Sequence, residues 1–183
     1  MEYKVGQVLN WNRKGPYSFL IQLGNYIHYH KFGYDHTSII GEVGIIPDGV
    51  SKGQQGCLVY EALDKVEKNW YECWWLDKQF DNKDLVIGTP NNDVSNIKVI
   101  LDKYVGEPYD IIGIFGIVKY WLTGKQTPRT LKDDTWYCSE LVAHCLNECN
   151  SSINISAELN LPEYYITPMD IILSKELIWQ TAY

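Results

Sequence analysis

Two side chains far apart in the chain carry the chemistry of this sequence. One is Cys138, in Thr135-Trp136-Tyr137-Cys138-Ser139-Glu140-Leu141-Val142-Ala143-His144-Cys145-Leu146; the other is His36, in Asp35-His36-Thr37-Ser38-Ile39-Ile40. Thr135 is a suitable N-cap, and Cys138, Leu141, Val142, Cys145 and Cys149 recur at helical spacing on one face. Cys138 then falls in the first helical turn, under the positive end of the helix dipole. A thiol pKa drops there and the thiolate becomes available. A cysteine nucleophile needs a base, usually a histidine distant in sequence, and His36 opens a strand-like run. Residue types alone leave other roles open. A free cysteine is most often a small buried hydrophobe, and His36 also fits a strand-end histidine with satisfied hydrogen bonds.

The other candidates are weaker. His28 and His30 alternate near a helix end and read as surface residues. His144 lies about 100° round the helix from Cys145, so the two do not converge. Without a C-x-x-C pair, Cys138, His144, Cys145 and Cys149 make no zinc site, and no metal is expected. Cys145 and Cys149 read as packing residues. Trp70, Trp74, Trp75, Trp121 and Trp136 read as core or groove lining. Glu42 shares the His36 face of an ideal strand but lies roughly 20 Å along it. Glu61 sits on the next strand, on the face of Cys57 and Val59, where residue type alone reads as an exposed strand carboxylate.

The elements that position these residues can be read in order. Val5–Asn10 suggests a short strand or turn, and Ser18–Tyr29 has helical periodicity. His36–Ile46 is rich in β-branched residues and reads as a strand, with His36, Ser38, Ile40 and Glu42 on one face. Pro47–Gly56 is a turn region that joins it to a second strand, Cys57–Leu63, as an antiparallel pair. A third strand is expected near Asn69–Leu76 and a fourth at Asp84–Gly88. Helices are expected over Asn92–Val105, over the apolar Ile111–Leu122 and from Cys138 to about Cys149. Gly124–Asp134 is a polar loop, Leu161–Asp170 is extended, and Pro168–Leu173 is a short final helix. This order gives a segregated α+β fold.

Composition sets outer limits. The 183 residues suit one domain, 1–183, and a 45% hydrophobic content is ample for a packed core. A net charge of −7 disfavours nucleic acid as partner. The absence of a signal-peptide pattern points to a soluble, cytoplasmic protein, and the apolar run at Ile111–Leu122 is too short to span a bilayer. Five cysteines, an odd count, are expected as free thiols.

Taken together, Gly6-Gln7-Val8-Leu9, the His36 block, Val59-Tyr60-Glu61-Ala62, Gly106-Glu107-Pro108-Tyr109-Asp110, Tyr137-Cys138-Ser139-Glu140-Leu141-Val142 and Thr167-Pro168-Met169-Asp170 resemble a known family. It is the circularly permuted NlpC-type cysteine peptidases, specifically the YiiX-like group of the papain-like superfamily. The resemblance implies a permuted papain-like α+β fold, with a small antiparallel sheet packed against helices and histidine preceding cysteine in the chain. It further implies a catalytic triad: Cys138 as nucleophile, His36 as base and Glu61 as the residue that orients the imidazole, with Tyr137 supporting beside the nucleophile. The reaction would be hydrolysis of an amide or ester through a thioester, with no cofactor. The substrate would be a peptide, a murein fragment or an acyl lipid. The rival readings are a lipid-directed acyltransferase or thioesterase using the same cysteine, and a lipid- or peptide-binding module without turnover. Ile111–Leu122 serves either as core or as the roof of an apolar pocket.

Overall fold

Among the described residues, six strands form one antiparallel sheet, with helices packed on its faces and beside it. The computed structural model describes residues 1–13, 18–31, 33–125 and 135–181. The strands are β1 (Val8–Trp11), β2 (His36–Ile45), β3 (Gln55–Ala62), β4 (Val66–Glu72), β5 (Leu85–Pro90) and β6 (Leu177–Gln180), in the spatial order β4-β3-β2-β1-β5-β6. The helices are α1 (Ser18–Tyr29), α2 (Cys73–Asp81), α3 (Ile97–Leu101), α4 (Ile111–Thr123), α5 (Cys138–Cys149), α6 (Ile155–Leu159) and α7 (Pro168–Leu173). The α+β reading therefore holds. The Lys125 end of the expected polar loop is described, whereas Arg129 and Lys132 lie outside the described residues.

Strand alternation sorts the core into two layers. Leu9, Trp11, Ile40, Cys57, Val59, Leu85 and Ile87 meet Leu76 and Phe80 of α2. On the opposite face Val8, Ile39, Leu58 and Tyr60 meet α3 and Leu141, Val142, Cys145 and Leu146 of α5. Each fully buried Leu or Ile contributes roughly 1.5–3 kcal/mol. α1 and α4 pack together at the side, where Ile114, Ile117, Tyr137 and Tyr165 form a third cluster.

Several segments depart from the sequence-based expectation. The third strand stops at Glu72, and Cys73–Asp81 is helical because Leu76 and Phe80, four apart, bury against the sheet. The helix expected over Asn92–Val105 is regular only from Ile97 to Leu101. Asn154 caps α6 by accepting from Ala157 N–H, and β6 adds an edge strand beside β5. A β-bulge at Gly41 shifts the register between Ile40 and Glu42. Glu42 therefore lies opposite Leu58 and pairs with Lys98 at 3.7 Å, instead of sharing the His36 face. Gly41 is required there, since a Cβ would lie 2.4 Å from the Tyr60 ring.

Candidate active site

Helix α5 delivers Cys138 as its first residue. The N-cap is Tyr137, not Thr135, and no side chain caps the first turn. The leading N–H groups of the helix are thus free of a side-chain cap at the point where the sulfur sits. Backbone N–H groups of Thr37 and Ser139 donate to the Cys138 sulfur. Glu140 lies in the first turn and is buried.

His36 is the first residue of β2 and pairs across the sheet with Trp11, while Ser38 pairs with Glu61. His36 and Glu61 therefore share the α2-covered face of the sheet, and Cys138 arrives from the other side at the strand's end. The imidazole hydrogen-bonds the Cys138 thiol. Its Nε2 bonds Glu61 Oε2 at 3.0 Å, which leaves Nδ1 for the sulfur. Cys138, His36 and Glu61 are all buried, at 1%, 7% and 0% exposure.

The electrostatics follow from burial and partners. Burial pushes the Cys138 thiol up, but the hydrogen bond and charge of His36, with the two backbone N–H groups, bring it below its ordinary 9.0. Burial opposes charge on His36 as well. The hydrogen bond and charge of Cys138, helped by Glu61, outweigh burial and the nearby Arg13, and raise it to about 9. Glu61 follows the same pattern: burial raises it, but His36, Arg13 and Tyr71 hold it down at about 2. The Cys138 and His36 shifts run in opposite senses, toward a thiolate–imidazolium pair backed by a carboxylate. The other four cysteines have thiols pushed up, chiefly by burial.

A narrow groove, partly open to solvent, reaches Cys138. Ile21 of α1 and Ile114, Ile117, Val118 and Trp121 of α4 form one wall; Tyr137, Thr167 and Pro168 form the other. Gly24 lets α1 close on α4, since a Cβ there would lie 1.9 Å from the Trp121 ring, and His28 stacks on the same indole at 5.5 Å. On the outward side of α4, Ile112, Phe115 and Leu122 are 84%, 56% and 64% exposed. Ile111–Leu122 is thus the wall of an apolar groove on one side and an uncovered surface on the other.

The fold thus brings together Cys138, His36 and Glu61, and places Tyr137 on the groove wall with its hydroxyl donating to the Glu163 carbonyl at 3.2 Å. His144 stands apart, bonded to Glu163 at 2.9 Å and Tyr104 at 3.0 Å. Sequence reasoning missed Arg13 and Tyr71, which also hold Glu61. Arg13 directly follows a short strand and a polar residue, and nothing in that context marks it.

No family profile and no curated protein matches this sequence. Among solved structures, the chain is similar to the crystal structure of the metalloprotein YiiX, DUF1105, from Escherichia coli O157:H7. The TM-score is 0.60 at 16% identity, over 99% of this chain and 98% of that one. Among the described residues, no group of three or more His, Cys, Asp and Glu side chains is arranged to hold a metal ion. No helix among them is long and apolar enough to cross a membrane. In fold, this chain is YiiX-like.

Proposed function

We propose that this chain is a cysteine-dependent hydrolase of the circularly permuted papain-like, NlpC-type group. Cys138 is the nucleophile, His36 the base and Glu61 the orienting carboxylate. The hydrogen-bonded run from Cys138 through His36 to Glu61 carries this reading. The chain order, histidine before cysteine, supports the permuted arrangement.

The steps follow from the charges. The Cys138 thiolate attacks the acyl carbon, and the carbonyl oxygen becomes an oxyanion at the uncapped start of α5, where backbone N–H groups stabilise it. The imidazolium of His36 gives its proton to the departing amine or alcohol, and a thioester remains. Neutral His36 then takes a proton from water, hydroxide attacks the thioester, and the acid leaves as the thiolate–imidazolium pair re-forms. Glu61 holds the imidazole in one orientation throughout.

The apolar groove favours a second reading at the same cysteine, an acyl-lipid substrate whose chain lies between α1 and α4. One panel tests both: peptide anilides, and nitrophenyl esters of rising chain length. Wild-type protein is expected to hydrolyse members of the panel with an acyl adduct on Cys138, and Cys138→Ala to hydrolyse none. Rates that rise with chain length select the lipid reading, whereas preference for anilides selects the peptide reading. Equal hydrolysis by Cys138→Ala rejects both, and no hydrolysis by wild type leaves a binding module.

A further inference from the structure

Glu61 does not serve His36 alone. Its Oε2 accepts from His36 Nε2 at 3.0 Å and from Arg13 Nη1 at 2.9 Å, and its Oε1 accepts from Tyr71 at 2.6 Å. The carboxylate is wholly buried, whereas 29% of the Arg13 side chain is exposed. Arg13 is itself held in place. Its guanidinium lies 4.6 Å over the Trp11 ring, and its backbone N–H donates to Asp35 at 2.8 Å. Trp11 donates to Ser38 Oγ at 2.8 Å and packs against Tyr71 and Trp75.

We propose that Arg13 is a positioning residue of this site: by sharing Glu61 Oε2 with His36, it sets how firmly the imidazolium holds its proton. The inference rests on the Cys138–His36 reading above. A buried carboxylate facing only one cation would grip the imidazolium tightly and make it a poor acid toward a leaving group. A second cation on the same oxygen loosens that grip and keeps the carboxylate ionised. Tyr71 fixes the other oxygen, so Glu61 cannot turn without breaking three hydrogen bonds. The groups in contact with this pair are therefore Cys138, Arg13 and Tyr71, with Asp35 behind Arg13.

The test needs no substrate. The ¹⁵N imidazole signals of His36 are titrated by NMR, and the rate of Cys138 alkylation by iodoacetamide is followed over the same pH range. Wild type is expected to show the His36 step at about 9. Arg13→Gln should move that step upward by roughly one unit, and Arg13→Lys should return most of it. Arg13→Met, of similar volume, replaces the glutamine variant if that fails to fold. A folded, uncharged variant whose step stays in place, with only its melting temperature lowered, overturns the proposal and leaves Arg13 a structural counter-ion. A wild-type protein whose Cys138 alkylation shows no step that His36→Ala abolishes removes the Cys–His reading itself, and the inference with it.

Discussion

His36→Ala is expected to silence Cys138 at neutral pH while leaving the protein folded. Burial raises the Cys138 thiol, and the hydrogen bond and charge of His36 are what draw it below its ordinary value. With the imidazolium gone, burial remains, and the thiol returns to its ordinary 9.0 or above. At pH 7 a thiol of that acidity is about 1% ionised, so alkylation should slow on the order of 100-fold. Hydrolysis should fall further, by roughly 10²–10⁴, because the leaving group also loses its acid. The pH dependence changes shape as well. Wild-type reactivity should be nearly flat through neutral pH, whereas the variant should gain about tenfold per pH unit. Iodoacetamide rates for each cysteine, read by mass spectrometry, check this directly. An unchanged Cys138 rate in a folded variant would show that the histidine does not activate it.

Glu61→Ala should be the most damaging single change to stability near the site. It strips the counter-charge from Arg13 and His36 at once and opens a buried cavity beside Tyr71. Breaking a buried pair from one side costs about 3–5 kcal/mol, and the partial exposure of Arg13 places this case near about 3 kcal/mol. For a chain of this size that is a fall in melting temperature of roughly 6–12 °C. Calorimetry at neutral pH measures it. The acid side supplies a second signature. Glu61 is held at about 2 against an ordinary 4.5. Its contribution is therefore present above about 4.5 and disappears as pH falls through about 2, a loss the alanine variant should lack. A variant as stable as wild type would mean that the carboxylate contributes little to holding the corner together.

The parts of this site legible in the sequence are those set by local pattern. The helical spacing from Cys138 to Cys149 put the thiol at a helix start, and the β-branched run after His36 put the imidazole at a strand's end. Glu61 was legible only through the family resemblance, which implies a polar residue on the strand next to the histidine, and β3 does pair with β2 there. Arg13 and Tyr71 were not reachable, because their roles arise across the four neighbouring strands β4-β3-β2-β1, a tertiary fact no local spacing encodes. Cys73–Leu76 reads as strand in the sequence because Trp74 and Trp75 carry strand propensity, while the Leu76–Phe80 spacing that makes Cys73–Asp81 helical is short. Gly41 hid a bulge that moves Glu42 to the other face. An isolated glycine in a strand pattern signals such a bulge only weakly.

The central claim is that one thiol of five is made acidic by its surroundings. A competition measures it: the folded wild-type protein at pH 7 is given limiting iodoacetamide, and Cys57, Cys73, Cys138, Cys145 and Cys149 are quantified together by mass spectrometry. The account requires Cys138 to be labelled first and by a wide margin, although Cys73 and Cys149 are the more exposed. Labelling that follows exposure instead, with Cys73 and Cys149 ahead of Cys138, would contradict it.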